Sequence, residues 1–269
     1  MTLRRCLLAL LLLGASALPA AAAMSEAERA ARWADLSHAL FGDRSLQDAG
    51  DALRIDAPAR AEDAALVPIS LHLAAPLAAQ LRTLYLVIDN NPSPLAAVFH
   101  FGALADRSEV ATRVRVDDYT NLHAVAETGD GTLLVAQRFI KAAGGCSAPA
   151  GNDPSLASAR LGKMKLSVSP PPRPGQRTAL QLLISHPNSS GLQMDQLTHT
   201  YIPADFIQQI RVTYAGAEVL TVDSDIALSE DPSIRFGLLA PTPGEIEVDV
   251  DDSHQRHFTQ RWPLAAATE

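Results

Sequence analysis

Two periods of hydrophobic spacing divide this chain. Trp33, Leu36, Leu40 and Phe41 fall on one face at helical spacing. Ser25 with Glu28 three residues later predicts a capping box, and Gly42 predicts the helix stop. Beyond Gly42 the period becomes two. Val67, Ile69, Leu71 and Leu73 alternate with Pro68, Ser70 and His72, and Val110, Thr112, Val114 and Val116 alternate with Ala111, Arg113 and Arg115. Leu84 to Ile88 is a continuous apolar run closed by the turn-rich Asp89 to Pro94. Leu122 to Glu127, Thr128-Gly129-Asp130-Gly131 and Thr132 to Lys141 read as a hairpin.

Residues 142 to 162 break this pattern with Gly, Ser, Ala, Pro and Asn, and read as an arm followed by a linker. Strands resume at Met164 to Val168 and Thr178 to Ser185, on either side of a proline cluster, Pro170 to Pro174, that reads as a rigid crossing. Ile210 to Tyr214, Val219 to Val222, Ile234 to Leu238, Ile246 to Val250 and His257 to Trp262 complete the set. Short strands with turns at this spacing predict an all-β fold of two β-sandwiches in one chain, at 24–141 and 163–264, after one short N-terminal helix.

The first 23 residues carry a different signal. Arg4 and Arg5, the apolar Leu7 to Leu13 and the small residues Pro19 to Ala23 are expected to form a signal peptide, placing the protein in the periplasm. Cys6 precedes the apolar stretch, which argues against a lipid anchor. Cleavage after Ala23 leaves 20 basic against 30 acidic residues, a net charge of −10. Such a surface repels phosphate and disfavours nucleic acid. No second apolar stretch reaches spanning length, so no membrane span is expected.

Removal of Cys6 leaves Cys146 as the single cysteine, in Gly144-Gly145-Cys146-Ser147-Ala148-Pro149. The two glycines free the backbone, and the residues from Lys141 to Cys146, fully extended, reach about 17 Å. This geometry suits an exposed arm with Gly144, Gly145 and Ser147 flanking a sulfur offered to other molecules. Lys141 is the one cation near Cys146 in sequence. An inert thiol or an intermolecular disulfide are the alternatives.

The other candidates are fewer. His254 and His257 flank Asp251-Asp252-Ser253, a spacing that can bind metal, but nothing completes a ligand set and no metal is expected. His199, beyond the loop Asn188 to Gly191, is a possible partner contact. Arg113 and Arg115, with Glu109, read as a solvated charged stripe on a strand. No catalytic triad, phosphate loop or haem-attachment motif occurs, so neither catalysis nor a cofactor is expected.

The motifs in order resemble a known pair of families. Val67-Pro68-Ile69, Asp89 to Pro94, Thr112 to Arg115 and Gly144-Gly145-Cys146 resemble SoxY. His186-Pro187, Ile202 to Ile207, and Leu228 to Pro232 leading to Phe236 resemble SoxZ. The fused order, with Lys141 to Pro149, is similar to the SoxYZ-like carriers associated with quinoprotein (pyrroloquinoline quinone) alcohol dehydrogenases. The resemblance implies immunoglobulin-like sandwiches, a covalent sulfur carrier site at Cys146 and an interface position for His186. It also implies periplasmic redox partners, either sulfur-oxidation enzymes or a quinoprotein dehydrogenase with its cytochrome. The rival function is a non-covalent accessory that docks to such a dehydrogenase. Unlike SoxY, which has glycines after its cysteine and a free terminus, this chain continues through Ser147-Ala148-Pro149.

Overall fold

The computed structural model describes residues 24–149, 151, 158–169, 173, 176–239 and 243–264. The expected leader at 1–23, the prolines at 170–172 and 174, and residues 150 and 152–157 of the expected linker lie outside the described residues.

Helix α1 (Glu26–Phe41) begins at the predicted capping box: the Glu28 amide donates to Ser25 Oγ at 3.3 Å, and the Ser25 amide donates to the Glu28 carboxylate at 2.7 Å. Gly42 ends it at φ +65°. The first half then forms β1 (Leu46–Asp48), β2 (Leu53–Asp56), β3 (Val67–Leu73), α2 (Ala75–Gln80), β4 (Leu81–Ile88), β5 (Leu95–Phe101), β6 (Ala105–Val114), β7 (Thr120–Thr128) and β8 (Leu133–Ile140). The second forms β9 (Met164–Ser169), β10 (Arg177–Ile184), β11 (Ile207–Tyr214), β12 (Ala217–Ser224), β13 (Ser233–Leu239), β14 (Gly244–Asp252) and β15 (His257–Leu264).

Both halves share the same two sheets. One runs β1-β8-β7-β4-β5-β12-β11-β14-β15, the other β2-β3-β6-β13-β10-β9. The halves therefore meet by strand pairing in both layers, β5 with β12 (Ala97 opposite Ser224, Phe101 opposite Leu220) and β6 with β13. Each junction covers two strand edges that separate sandwiches would leave open. Gly237 on β13 is needed here, since a Cβ would lie 2.6 Å from that of Asp106 on β6. One apolar core runs under both halves, from Leu53, Leu84 and Phe99 to Leu180, Val248 and Phe236.

The continuous apolar run Leu84 to Ile88 has a packing reason. One face of β4 enters the main core, while Tyr85 on the other face joins Val125 and Leu133 beneath Phe41, Trp33 and Leu40 of α1. Trp33 stacks on the buried His123 at 3.6 Å between ring centres, and His123 Nδ1 meets Asp89 at 2.9 Å. The helix is thus a lid on one sheet, which is why its apolar stripe is narrow.

Candidate functional site

Cys146 lies where the two halves join. After β8 the chain pairs briefly with the segment before β3: the Lys141 amide donates to Ala59 O, and the Ala61 amide to Lys141 O. It then turns inward. Gly144 N donates to Asp117 O at 2.7 Å and Gly145 N to Val116 O at 2.9 Å, so the glycines dock on the segment that follows β6. The two glycines do different work. Gly144 holds φ +77° with open space around it, whereas a Cβ on Gly145 would lie 2.1 Å from Ala64 O and 2.6 Å from Val116 O. Only a residue without a side chain approaches the backbone this closely.

The expected exposed arm is therefore corrected by the structure. Cys146 is free and wholly buried, with 0% of its surface exposed, while Ala143, Gly144, Ser147 and Pro149 around it reach solvent. The reason is backbone hydrogen bonding, because glycine freedom permits tight docking as readily as extension. The second half closes the dock from its own side. Ser190 Oγ donates to Cys146 O, and Gln193 Nε2 donates to Ala148 O at 2.9 Å. Ser190 and Gln193 are themselves buried and joined, the Ser190 amide donating to Gln193 Oε1 at 3.1 Å.

Arg115 is the second correction. Strand β6 ends at Val114, so the two-residue period stops one position before Arg115 and its side chain turns inward. It is 1% exposed, and its Nη1 and Nη2 reach Gly145 O at 3.3 Å and Asn188 O at 3.5 Å. Asn91 fixes its backbone, donating to Arg115 O at 2.8 Å and accepting from the Asp117 amide at 2.9 Å. Arg113 and Glu109 are not a bare solvated stripe either. They bond across the junction, Arg113 to Asp231 O at 3.0 Å and Glu109 to Arg177 at 3.0 Å.

These surroundings set the thiol chemistry. Burial pushes the Cys146 pKa up to about 12, with Asp117 adding to the shift and Arg115 opposing it. The neighbouring cation is Arg115 rather than Lys141, which is exposed. In the docked position Cys146 is a protonated thiol and a poor nucleophile.

His186 is buried, not a surface contact. Its Nε2 lies 3.4 Å from Asp252 and 3.5 Å from Asp205, and burial holds its pKa below the usual imidazole value. Its Nδ1 accepts from the Asn188 amide at 3.1 Å, so it supports the residue whose carbonyl meets Arg115. His186, Asp205 and Asp252 stand close enough to hold a metal ion, but Arg256 already bonds both carboxylates and supplies the positive charge. His254 turns to Asp205, while His257 turns to Asp251 and Asp249, so that pair does not converge. His199 is exposed at φ +55° in a loop that also displays Leu197, 94% exposed, and Tyr201. Gln193 and Asp117 were not singled out by sequence reasoning, and Asn91 and Ser190 entered it only as members of the turn Asp89 to Pro94 and the loop Asn188 to Gly191. Ser190 and Gln193 bond arm carbonyls, Asp117 offers the arm its own carbonyl, and Asn91 braces the main chain of Arg115 and Asp117, and such main-chain contacts leave no residue pattern.

The fold and site define a two-domain β-sandwich protein with one free cysteine clasped where its halves join, by backbone bonds from the first half and by the side chains of Arg115, Ser190 and Gln193. Comparison with known proteins supplies the family. Residues 37–146 match the family model of the sulfur oxidation protein SoxY, and residues 167–263 match that of the sulphur oxidation protein SoxZ. The chain thus belongs to the sulfur oxidation families, joining a SoxY-family domain and a SoxZ-family domain. Among solved structures, the sulfur carrier protein SoxY from Chlorobium limicola f thiosulfatophilum is 30% identical, covering 43% of this chain and 96% of that one at a TM-score of 0.37. No curated protein sequence matches the chain.

Proposed function

We propose that this protein is an exported periplasmic carrier that holds a sulfur-containing intermediate covalently on Cys146 and presents it to separate redox enzymes. The observation that carries this reading is the place of Cys146: it is the last residue of the SoxY match, and it is a free thiol clasped by the SoxZ-like half. Among the described residues the clasp is non-covalent, hydrogen bonds together with burial of the thiol, so the arm can leave it. The docked state shields the sulfur, and reaction belongs to the undocked state, in which the thiol regains an ordinary pKa.

Mass spectrometry of protein purified from the periplasm without reductant tests the reading. A reductant-labile mass increase on Cys146, on a chain beginning near residues 22 to 24, is the expected result. A covalent dimer supports the disulfide alternative. Full complementation of a deletion strain by Cys146→Ser refutes covalent carriage and leaves docking to a quinoprotein dehydrogenase in its place.

A further inference from the structure

The geometry points to the outer face of the six-stranded sheet as a docking groove, centred on Arg235, for an extended acidic segment of a partner protein. This inference is independent of what Cys146 carries.

Strand register builds the groove. Ser70 on β3 lies opposite Ala111 on β6, and Ala111 opposite Arg235 on β13. Arg235 in turn lies opposite Gln181 on β10, and Gln181 opposite Ser167 on β9. One row of residues thus crosses five strands and both halves, and every member except Arg235 is uncharged. Neighbouring strands stand about 4.8 Å apart, so the row is about 19 Å long, the span of about six extended residues. Two cavities, of about 250 and 360 Å³, lie along it and share Arg235 and Gln181. The neighbouring rows form the walls, with Arg113 and Leu183 on one side and Glu109 and Arg177 on the other.

Charge selects the occupant. The chain as a whole carries a net charge of −8, yet the groove is lined by three arginines and a single carboxylate. That carboxylate, Glu109, is taken by Arg177 at 3.0 Å, and Arg177 also pairs with Asp106. Arg113 gives Nη2 to Asp231 O at 3.0 Å, while its Nε is buried without a partner. Arg235 is exposed, and its side chain makes no hydrogen bond or ion pair among the described residues. Guanidinium groups bind carboxylates through paired N–H donors, so Arg235 and Arg113 favour Asp or Glu side chains over neutral ones. No aromatic side chain lines either cavity, so nothing there stacks a base or a sugar. The floor suits a main chain instead. Gln181 is steadied by its bond to Ser233 at 3.1 Å and keeps its side-chain oxygen to accept a peptide N–H, with the hydroxyls of Ser70 and Ser167 on either side.

The test is fluorescence anisotropy of a rhodamine-labelled Gly-Glu-Asp-Glu-Asp-Glu-Gly peptide against the mature protein at low salt. The neutral probe is the same peptide with Gln and Asn in place of Glu and Asp. The acidic peptide is expected to bind roughly tenfold more tightly than the neutral one, and Arg235→Glu should weaken it by roughly tenfold or more, the ratio a charge-assisted hydrogen bond carries. Arg211→Glu makes the same change of net charge at an exposed position of β11 in the other sheet, and should alter the affinity by no more than about twofold. Equal binding of the two peptides by wild-type protein overturns the inference and needs no variant to fold. Equal losses in Arg235→Glu and Arg211→Glu overturn it too, since net charge alone would then explain the binding. Self-association of the peptide-free protein in sedimentation velocity, abolished by Arg235→Glu, would assign the groove to a second copy of this chain and likewise overturn it.

Discussion

Replacing Gly145 by alanine should eject the arm while sparing the sandwiches. The new Cβ would lie 2.1 Å from Ala64 O and 2.6 Å from both Ala64 C and Val116 O, so something must move by about an ångström. Val116 and Ala64 are bonded to each other at 2.9 Å beside the core, which makes them the stiffer side. The arm is the cheaper part to shift. Its dock consists of five hydrogen bonds, from Gly144 N, Gly145 N, Arg115, Ser190 and Gln193, together with burial of the thiol. At about 1 kcal/mol net for each bond and about 1 kcal/mol for the sulfur, the gross gain is roughly 6 kcal/mol. Ordering four backbone residues costs about 4 kcal/mol. The remainder of about 2 kcal/mol leaves the arm open roughly one part in thirty. The assay is the labelling rate of Cys146 by a neutral thiol reagent at pH 7, relative to a peptide of the same sequence. Wild-type protein should label about thirtyfold more slowly than the peptide, and Gly145→Ala should approach the peptide rate with little change in melting temperature. Gly144→Ala meets no atoms and bears only the cost of its left-handed backbone, about 1 kcal/mol, for a gain of about fivefold. A Gly145→Ala protein that labels no faster but melts much earlier would show that the sheet yields before the arm, and the docking argument would fall.

Three further outcomes follow from the same geometry. Because burial raises the docked thiol from 9.0 to about 12, and the protonated form is the one that docks, docking is intact below pH 9 and weakens as pH rises from there toward 12; the protein-to-peptide labelling ratio should climb toward one over that window while circular dichroism stays unchanged, and a flat ratio contradicts it. Ser190→Ala or Gln193→Leu removes one clasp from the second half and should speed labelling by roughly fivefold at neutral pH, about 1 kcal/mol for each lost bond; no change in either would remove the second half from the clasp. Since strand pairs β5–β12 and β6–β13 and a single core join the halves, calorimetry should show one cooperative transition, lowered by Gly237→Val, and two separate transitions would refute the shared core.

Much of this architecture can be read from local pattern, and the part that cannot has a common cause. Ser25, Glu28 and Gly42 mark the helix because caps are local chemistry. The alternation through Val67 to Leu73 and Ile246 to Val250 marks strands because one face of each is buried in a single core. Strand β5 escaped notice, since Leu95-Ala96-Ala97 follows a long turn and carries little bulk, yet it forms one of the two junctions between halves. Its partner, β12, lies more than a hundred residues away, and pairing at that range leaves no periodic trace. Arg115 was misread for the opposite reason: the period of two was extended one residue past the strand end at Val114. The docking of Gly144 and Gly145 rests on carbonyls of Asp117 and Val116, groups that every residue carries. A glycine pair is therefore compatible with both a free arm and a clasped one, and the sequence does not choose between them.

A carrier faces two opposed demands, to keep its sulfur from stray reagents and to surrender it to an enzyme. A dock worth about 2 kcal/mol satisfies both, because the open state stays at a few per cent while a partner that binds only that state needs only a small part of its binding energy to populate it. A thiol locked much more deeply would tax every encounter by the same amount. The two halves share the clasp: Val116, Asp117 and Arg115 belong to the SoxY-like half, Ser190 and Gln193 to the SoxZ-like half. Exposure of Cys146 therefore depends on how the halves meet, and strand pairing in two sheets fixes that meeting. With the second half covalently downstream of the arm, its clasping residues are present at every Cys146 without any association step.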